Sequence, residues 1–356
     1  MGQRALIFTT DYELFGNGSG CVQACMIEPT ERMASLLEKH GARLTVFFEV
    51  CEYWAFQKER AAGRLKEDWA ALMRQQMRDL VARGHDVQLH FHPQWLEYSY
   101  DGISWQLNYD LWRIGTLSYV DADFPERGLE ELFRRGKETL EQMLQPVKPD
   151  YRCEVFRAGA WSMQPEQKVL QAMRVNGFKA DSTVVPGLHF ADGTTFYDFR
   201  AVAEHANSYR ISECMTKPDD DGLMLEIPIF AAPVPLWRRL YFGYLRYRRK
   251  VGFRPAGCEG QAKAAAGKSS FEKIRGWLTN PVMMSTFGDA TVAEQMIYLT
   301  KKALQDGSES SEAPDPMVWI SHPKTFGNEY EFKKYLAWAS AQKQISMATF
   351  KTFIKQ

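Results

Sequence analysis

Hydrophobic and polar positions along this chain switch repeatedly between two periods. "RALIFTT" near the start reads as a buried strand, and "ERMASLLEKHG" then repeats apolar residues at helical spacing. The exchange continues with a strand over "RLTVFFEV", an amphipathic helix over "EDWAALMRQQMRDLVARG", a strand over "HDVQLHFH" and a helix over "LEELFRRGKETLEQML". Further strands are predicted at "YRCEVFR", "FKADSTVV", "GLMLEIPIF" and "PMVWISHP", with helices over "PEQKVLQAMRVNG" and "VAEQMIYLTKKAL". Seven or so strands joined by helical crossovers imply a parallel α/β sheet or barrel rather than a sandwich. No internal repeat is present. The small polar stretch "RPAGCEGQAKAAAGKSS" (254–270) reads as an inserted loop, because another strand follows it.

Composition narrows the function classes. A chain of 356 residues with 45% hydrophobic content can bury a substantial core. Forty-four basic against forty-four acidic residues leave no net charge, which argues against wholesale nucleic-acid binding. The six cysteines form no CxxC pair, so reduced thiols are expected. "MGQRALIFTTDYE" has no apolar leader, and a cytoplasmic address follows as an expectation. No apolar run is long enough to span a bilayer, so any membrane contact would be peripheral.

Chemistry-bearing residues recur where the predicted strands end. Asp11 and Glu13 follow the first strand, His90 and His92 end the third, Arg157 ends the fourth, Asp181 lies in the fifth, and His322 ends the last. The C-terminal strand ends of a parallel barrel converge on one face, so these residues are expected to share a site. Alternation along an extended segment puts His90 with His92, and Asp11 with Glu13. Two imidazoles and a carboxylate at an open mouth suit a hydrolytic metal ion; the plainer alternative is a hydrogen-bonded structural pair of histidines. The HxHxDH pattern of metallo-β-lactamases fails after His92, and an amidohydrolase would carry its HxH after the first strand. His85 opens its strand, far from the C-terminal end, and falls outside the site; His189 and His205 stand in no motif and read as structural or surface residues.

Taken in order, "FTTDYE", "GHDVQLHFHP", "FRAGAW", "ADSTVVPG" and "WISHPKTF" resemble the five motif regions of the NodB-homology polysaccharide deacetylases, carbohydrate esterase family 4. The resemblance is to the branch associated with bacterial lipopolysaccharide and surface-glycan loci, and it covers about residues 4–350. It implies one NodB-like domain over 1–356, an α/β fold that is a distorted (β/α)7 barrel with inserted helices and loops, and metal-dependent removal of an acetyl group from a sugar. By the same resemblance Asp11 is the general base, Arg157 orients it, Asp181 tunes the acid, and His322 protonates the leaving group. His90 is the first metal-ligand histidine. Where the family has a second aspartate and a later histidine, this chain offers Glu13 and His92, so Glu13, His90 and His92 are the expected ligands of a divalent ion, most naturally zinc. Trp161, Tyr12 and Trp95 are expected to wall the substrate, an acetylated sugar in lipid-linked or nucleotide-linked form. The rival readings are another carbon-nitrogen hydrolase on this fold, such as a deformylase or allantoinase-like amidase, and a metal-free barrel that only binds sugar.

One stretch stands outside these motifs. "PLWRRLYFGYLRYRRKVG" (235–252) carries six basic residues and no acid, interleaved with aromatics. A helix of that kind over 236–251 can lie on an anionic membrane surface or hold phosphates of a lipid-linked sugar, and it opens an insertion expected at 235–275. The alternative is an ordinary amphipathic helix with a solvated basic face; stacking on single-stranded nucleic acid lacks any continuing basic track.

Overall fold

The computed structural model describes residues 3–203, 207–251, 255–261, 276–285, 291–306, 314–327 and 329–354. The main sheet has nine strands. In chain order they are β1 (Arg4–Tyr12), β2 (Leu44–Glu49), β3 (Asp86–Phe91), β4 (Val155–Ala158), β5 (Ala180–Asp181), β6 (Tyr209–Ile211), β7 (Met224–Glu226), β8 (Asp315–Trp319) and β9 (Ile345–Met347). Across the sheet the order is β6, β7, β5, β4, β3, β2, β1, β8, and β9 also pairs with β1. Only the β6–β7 pair is antiparallel. Strands β1 to β3 are buried at every position, with both faces of the sheet covered, although β3 alternates polar Asp86, Gln88 and His90 with apolar residues.

The longer helices among the described residues are α1 (Glu28–Glu38), α2 (Val50–Ala61), α3 (Trp69–Ala82), α4 (Leu129–Leu144), α5 (Gln167–Val175), α6 (Leu236–Arg249), α7 (Ala293–Asp306) and α8 (Glu329–Ser340), with a single turn at Lys351–Ile354. The periodicity anticipates most of these elements but misses α2, α8, β6 and β9. Helix α2 buries Glu52 and Glu59 beside its apolar residues, which erases the clean stripe that marks an amphipathic helix.

The sheet curls into a half-barrel but does not close. Between β7 and β8 the described residues form isolated bridges, Ile229 to Val318 and Ser285 to Ile320, instead of a ladder. Pro228, Pro233 and Pro235 follow β7, and each removes the N–H that a continuous ladder would need. The distortion expected of a (β/α)7 barrel therefore takes the form of an open seam.

The expectation of six reduced thiols is corrected by the structure: Cys25 and Cys258 form a disulfide across 233 residues of sequence. No local spacing reveals a pair that only the fold brings together. Cys21, Cys51, Cys153 and Cys214 are free. His85 is structural as expected, its Nδ1 accepting from the Leu44 amide (2.9 Å) and its Nε2 facing Glu38 (2.8 Å). His205, most of the expected loop at 254–270 and the end of the expected insertion lie outside the described residues. Among those residues no helix is long and apolar enough to cross a membrane.

Candidate functional site

The register of three neighbouring strands builds one row of polar side chains. Glu49 ends β2 opposite His90 on β3, and His90 lies opposite Arg157 on β4. Asp11 and Glu13 rise from the end of β1 on the adjoining side, and His322 follows β8. Alternation along β1 and β3 aims Asp11 with Glu13, and His90 with His92, toward the same space.

Arg157 is fully buried, and its guanidinium organises the base of the site. Nη1 donates to Asp11 Oδ1 (2.7 Å) and Thr9 Oγ1 (2.8 Å), Nε donates to the Ser182 carbonyl (2.9 Å), and the Phe47 ring lies 4.0 Å beneath. Burial alone would raise the Asp11 carboxyl; Arg157, with His90 and His322, more than offsets it and holds Asp11 below the usual carboxylate range. Its other oxygen, Oδ2, faces His322 Nε2 at 3.8 Å.

Above this pair Glu13, Glu49, His90 and His92 place one donor atom each within 4.8 Å of one another. Glu13 Oε2 lies 2.5 Å from His92 Nε2 and 3.5 Å from His90 Nε2, while Lys324 Nζ holds Oε1 at 2.7 Å. His90 Nδ1 donates to the Arg157 carbonyl (2.8 Å), which fixes the ring with Nε2 inward. Gln94 Nε2 donates to His92 Nδ1 (3.3 Å); turning that amide over makes it the acceptor a ligating imidazole needs. Glu49 accepts from the Cys51 and Glu52 amides through Oε1, and its buried Oε2 has no hydrogen-bond partner among the described residues. Two inward imidazole nitrogens, one steered carboxylate oxygen and one unsatisfied carboxylate oxygen are a donor set that fits a divalent ion.

Without an ion these groups compensate one another. Burial would lower His90, yet Asp11 and Glu13 raise it to about 9. Burial would raise Glu13, yet His92 and Lys324 hold it well below the usual range. His322 is pushed down to about 4, chiefly by burial, with Lys324 adding to the effect against Asp11. In the metal-free protein burial therefore favours the uncharged imidazole at His322.

The cavity over this cluster has a volume of about 350 Å³. Asp11, Glu13, His90, His92 and His322 line it with Lys324, Trp112, Trp161, Phe190 and Tyr197. Trp161 lines the cavity from a turn in which Ala160 and Trp161 both adopt positive φ (51° and 53°), conformations that cost non-glycine residues energy and cluster at working sites. Gly159, before them, permits the close approach: a Cβ there would lie 2.4 Å from the Phe91 carbonyl and 2.7 Å from the His92 ring.

Two residues expected to wall the substrate lie elsewhere. Tyr12 points to the opposite face of β1, donating to Gln76 Oε1 (2.8 Å) and stacking on Phe48. Trp95 is buried against Phe56 and Trp105. Neither lines the cavity, because odd-numbered positions of β1 face inward and the turn after His92 carries Trp95 behind the site. Asp181 is also outside the lining; Thr183 takes its carboxylate through the amide (2.9 Å) and Oγ1 (2.8 Å), and burial raises its carboxyl next to Glu226. Conversely, Glu49 and Lys324 were missed. A carboxylate ending "TVFFE" was the available signal for Glu49, and proximity to His322 in "SHPK" the signal for Lys324. Trp112 and the hairpin carrying Phe190 and Tyr197 left no local mark.

No family profile and no curated protein sequence matches the chain. Among solved structures, a 4-alpha-glucanotransferase from Thermococcus litoralis is similar at TM-score 0.50 and 13% identity over 100% of this chain, which spans 41% of that protein. A protein assigned as a polysaccharide deacetylase from Mycobacterium smegmatis gives TM-score 0.47 and 14% identity, over 99% of this chain and 90% of its own. An allantoinase gives TM-score 0.48 and 12% identity over 99% and 90%. At such identity the match at 0.50 speaks for a shared fold alone, and the chemistry rests on the side chains.

Proposed function

We propose that this chain is a metal-dependent hydrolase that removes an acetyl group from a sugar during bacterial surface-glycan or lipopolysaccharide assembly, with a lipid-linked or nucleotide-linked precursor as substrate. The observation that carries the reading is the meeting of Glu13, His90 and His92 in one cavity with Asp11 and His322. Glu13, Glu49, His90 and His92 would hold the ion, zinc in this reading, which when bound supplies a Lewis acid that activates water and polarises the acetyl carbonyl. Asp11, ionised and oriented by Arg157, takes the proton of the attacking water at Oδ2. His322 Nε2, 3.8 Å from that oxygen, takes up this proton and passes it to the departing sugar nitrogen or oxygen, so that acetate and the free amine or hydroxyl leave and Asp11 is again ionised. Trp112 and Trp161 wall the cavity and limit bulk water.

Acetate release from N-acetylated and O-acetylated sugars by zinc-loaded protein is the test. Asp11→Asn should lower turnover by at least about 100-fold while zinc stays bound. Zinc-loaded wild-type protein that releases no acetate from either class overturns the reading.

A second reading has one observation in its favour. Lys324 already neutralises Glu13 without a metal (2.7 Å), as a barrel that only binds sugar would need. Elemental analysis separates the two, since about one zinc per chain is incompatible with a metal-free barrel.

A further inference from the structure

Helix α6 carries an apolar surface that nothing else in the described structure covers. Leu236, Trp237, Leu240, Tyr241, Tyr244 and Tyr247 are all exposed, Trp237 at 62% and Tyr247 at 83%. At 100° per residue these six fall on one arc of about 140°. Phe242, buried, and Leu245, packed on the core, mark the opposite side. Trp277 and Leu278 extend the exposed apolar surface, because Arg239 ties α6 to the Trp277 and Asn280 carbonyls. Isolated exposed apolar residues need no explanation, but a contiguous aromatic face does.

The charges divide into two groups. Arg249 is internal, pairing with Glu294 (2.7 Å) and Glu331 (3.0 Å) at the starts of α7 and α8, and Arg238 stacks on Trp237 and Tyr298. Arg246, Arg248 and Lys250 make no ion pair among the described residues, and they line an open cavity of about 510 Å³ at the end of the helix; at the same 100° per residue Arg248 falls within the apolar arc, Lys250 beside it and Arg246 on the far side. No acid lies between Pro235 and Gly252. Aromatic rings at the boundary with cations beside them match an anionic lipid surface, where the rings enter the headgroup layer and the cations meet phosphates. The Arg249 pairs also pin the end of α6 beside α8, which begins five residues after Lys324. The C-terminal end of α6 therefore lies toward the rim of the sheet that carries the cavity.

We infer that α6 is a monotopic docking face for an anionic phospholipid bilayer, holding the cavity mouth near lipid-borne substrates. The docking stands independently of the hydrolase reading, since none of its residues touches the metal cluster.

The test is co-sedimentation of the full chain with vesicles of phosphatidylcholine, with and without about 30 mol% phosphatidylglycerol. Binding is expected only with the anionic lipid and should weaken as salt rises. Replacing Arg248 and Lys250 by Gln should lower the partition coefficient roughly 30-fold. Trp237→Ser with Tyr247→Ser should lower it comparably, with unchanged circular dichroism because both side chains are already in water. Wild-type protein that ignores anionic vesicles at low salt overturns the inference, as does binding that neither set alters. A wild-type dimer that the Trp237→Ser and Tyr247→Ser variant turns into monomers also overturns it, by assigning the face to self-association. Acetate release from a short soluble sugar is a separate readout, and its absence would count against the hydrolase reading alone.

Discussion

Arg157 carries a full charge beneath the cavity, and its removal would strand Asp11 in a low-dielectric pocket. Breaking one side of such a buried pair typically costs about 3–5 kcal/mol. Arg157→Met is expected to lose stability on that scale in urea denaturation, and adding Asp11→Asn should recover part of it; purely additive losses would mean that the two groups are not coupled. The histidines give the metal-free protein two pH limbs. His90, raised to about 9, contributes fully below its ordinary value of 6.5, and that contribution is lost as pH rises through about 9. His322, lowered to about 4, contributes above 6.5 and loses that contribution as pH falls through about 4. Thermal midpoints of the metal-free protein are therefore expected to be highest between the limbs. His90→Gln should flatten the alkaline one, and a limb unchanged in that variant would assign the loss to another group.

Helix α2 and strand β2 meet at Glu49, which serves both. One oxygen caps the helix at the Cys51 and Glu52 amides, the other has no hydrogen-bond partner among the described residues, and the carboxylate belongs to the cluster with the two histidines. Glutamine keeps a cap acceptor but removes the charge. Glu49→Gln is thus expected to preserve helix content and cost little stability, while zinc affinity falls on the order of 10–100-fold in a competition titration, the scale found for groups that tune a metal site. Equal zinc affinity in wild type and variant would confine Glu49 to its capping role.

Over the whole molecule, the Cys25–Cys258 link joins the segment before α1 to residues 255–261, beside the Lys324 carbonyl that Cys258 Sγ approaches at 3.7 Å. Thiol titration of the denatured, unreduced protein should count four free cysteines, and six would refute the link. Mild reduction should lower stability by about 2–4 kcal/mol, because a bond closing so long a loop restricts the unfolded chain. The seam between β7 and β8 belongs to this scale too, since prolines at 228, 233 and 235 set it and strand patterning does not reveal it.

Local pattern determined the alternation of strands and helices, the parallel character of the sheet, and the placing of Asp11, Glu13, His90, His92, Arg157 and His322 at strand ends. Each of these depends on period and position along a single element, which neighbouring residues encode. Only the tertiary structure decided that Tyr12 and Trp95 turn away from the cavity, that Asp181 belongs to Thr183 and Glu226, and that Glu49 and Lys324 join the cluster. It alone brought Cys25 to Cys258 and left one arc of α6 uncovered. These outcomes depend on register between strands and on contacts between residues up to hundreds of positions apart. A one-dimensional pattern carries the chemistry of each residue but not the neighbour that will compensate its charge or cover its surface.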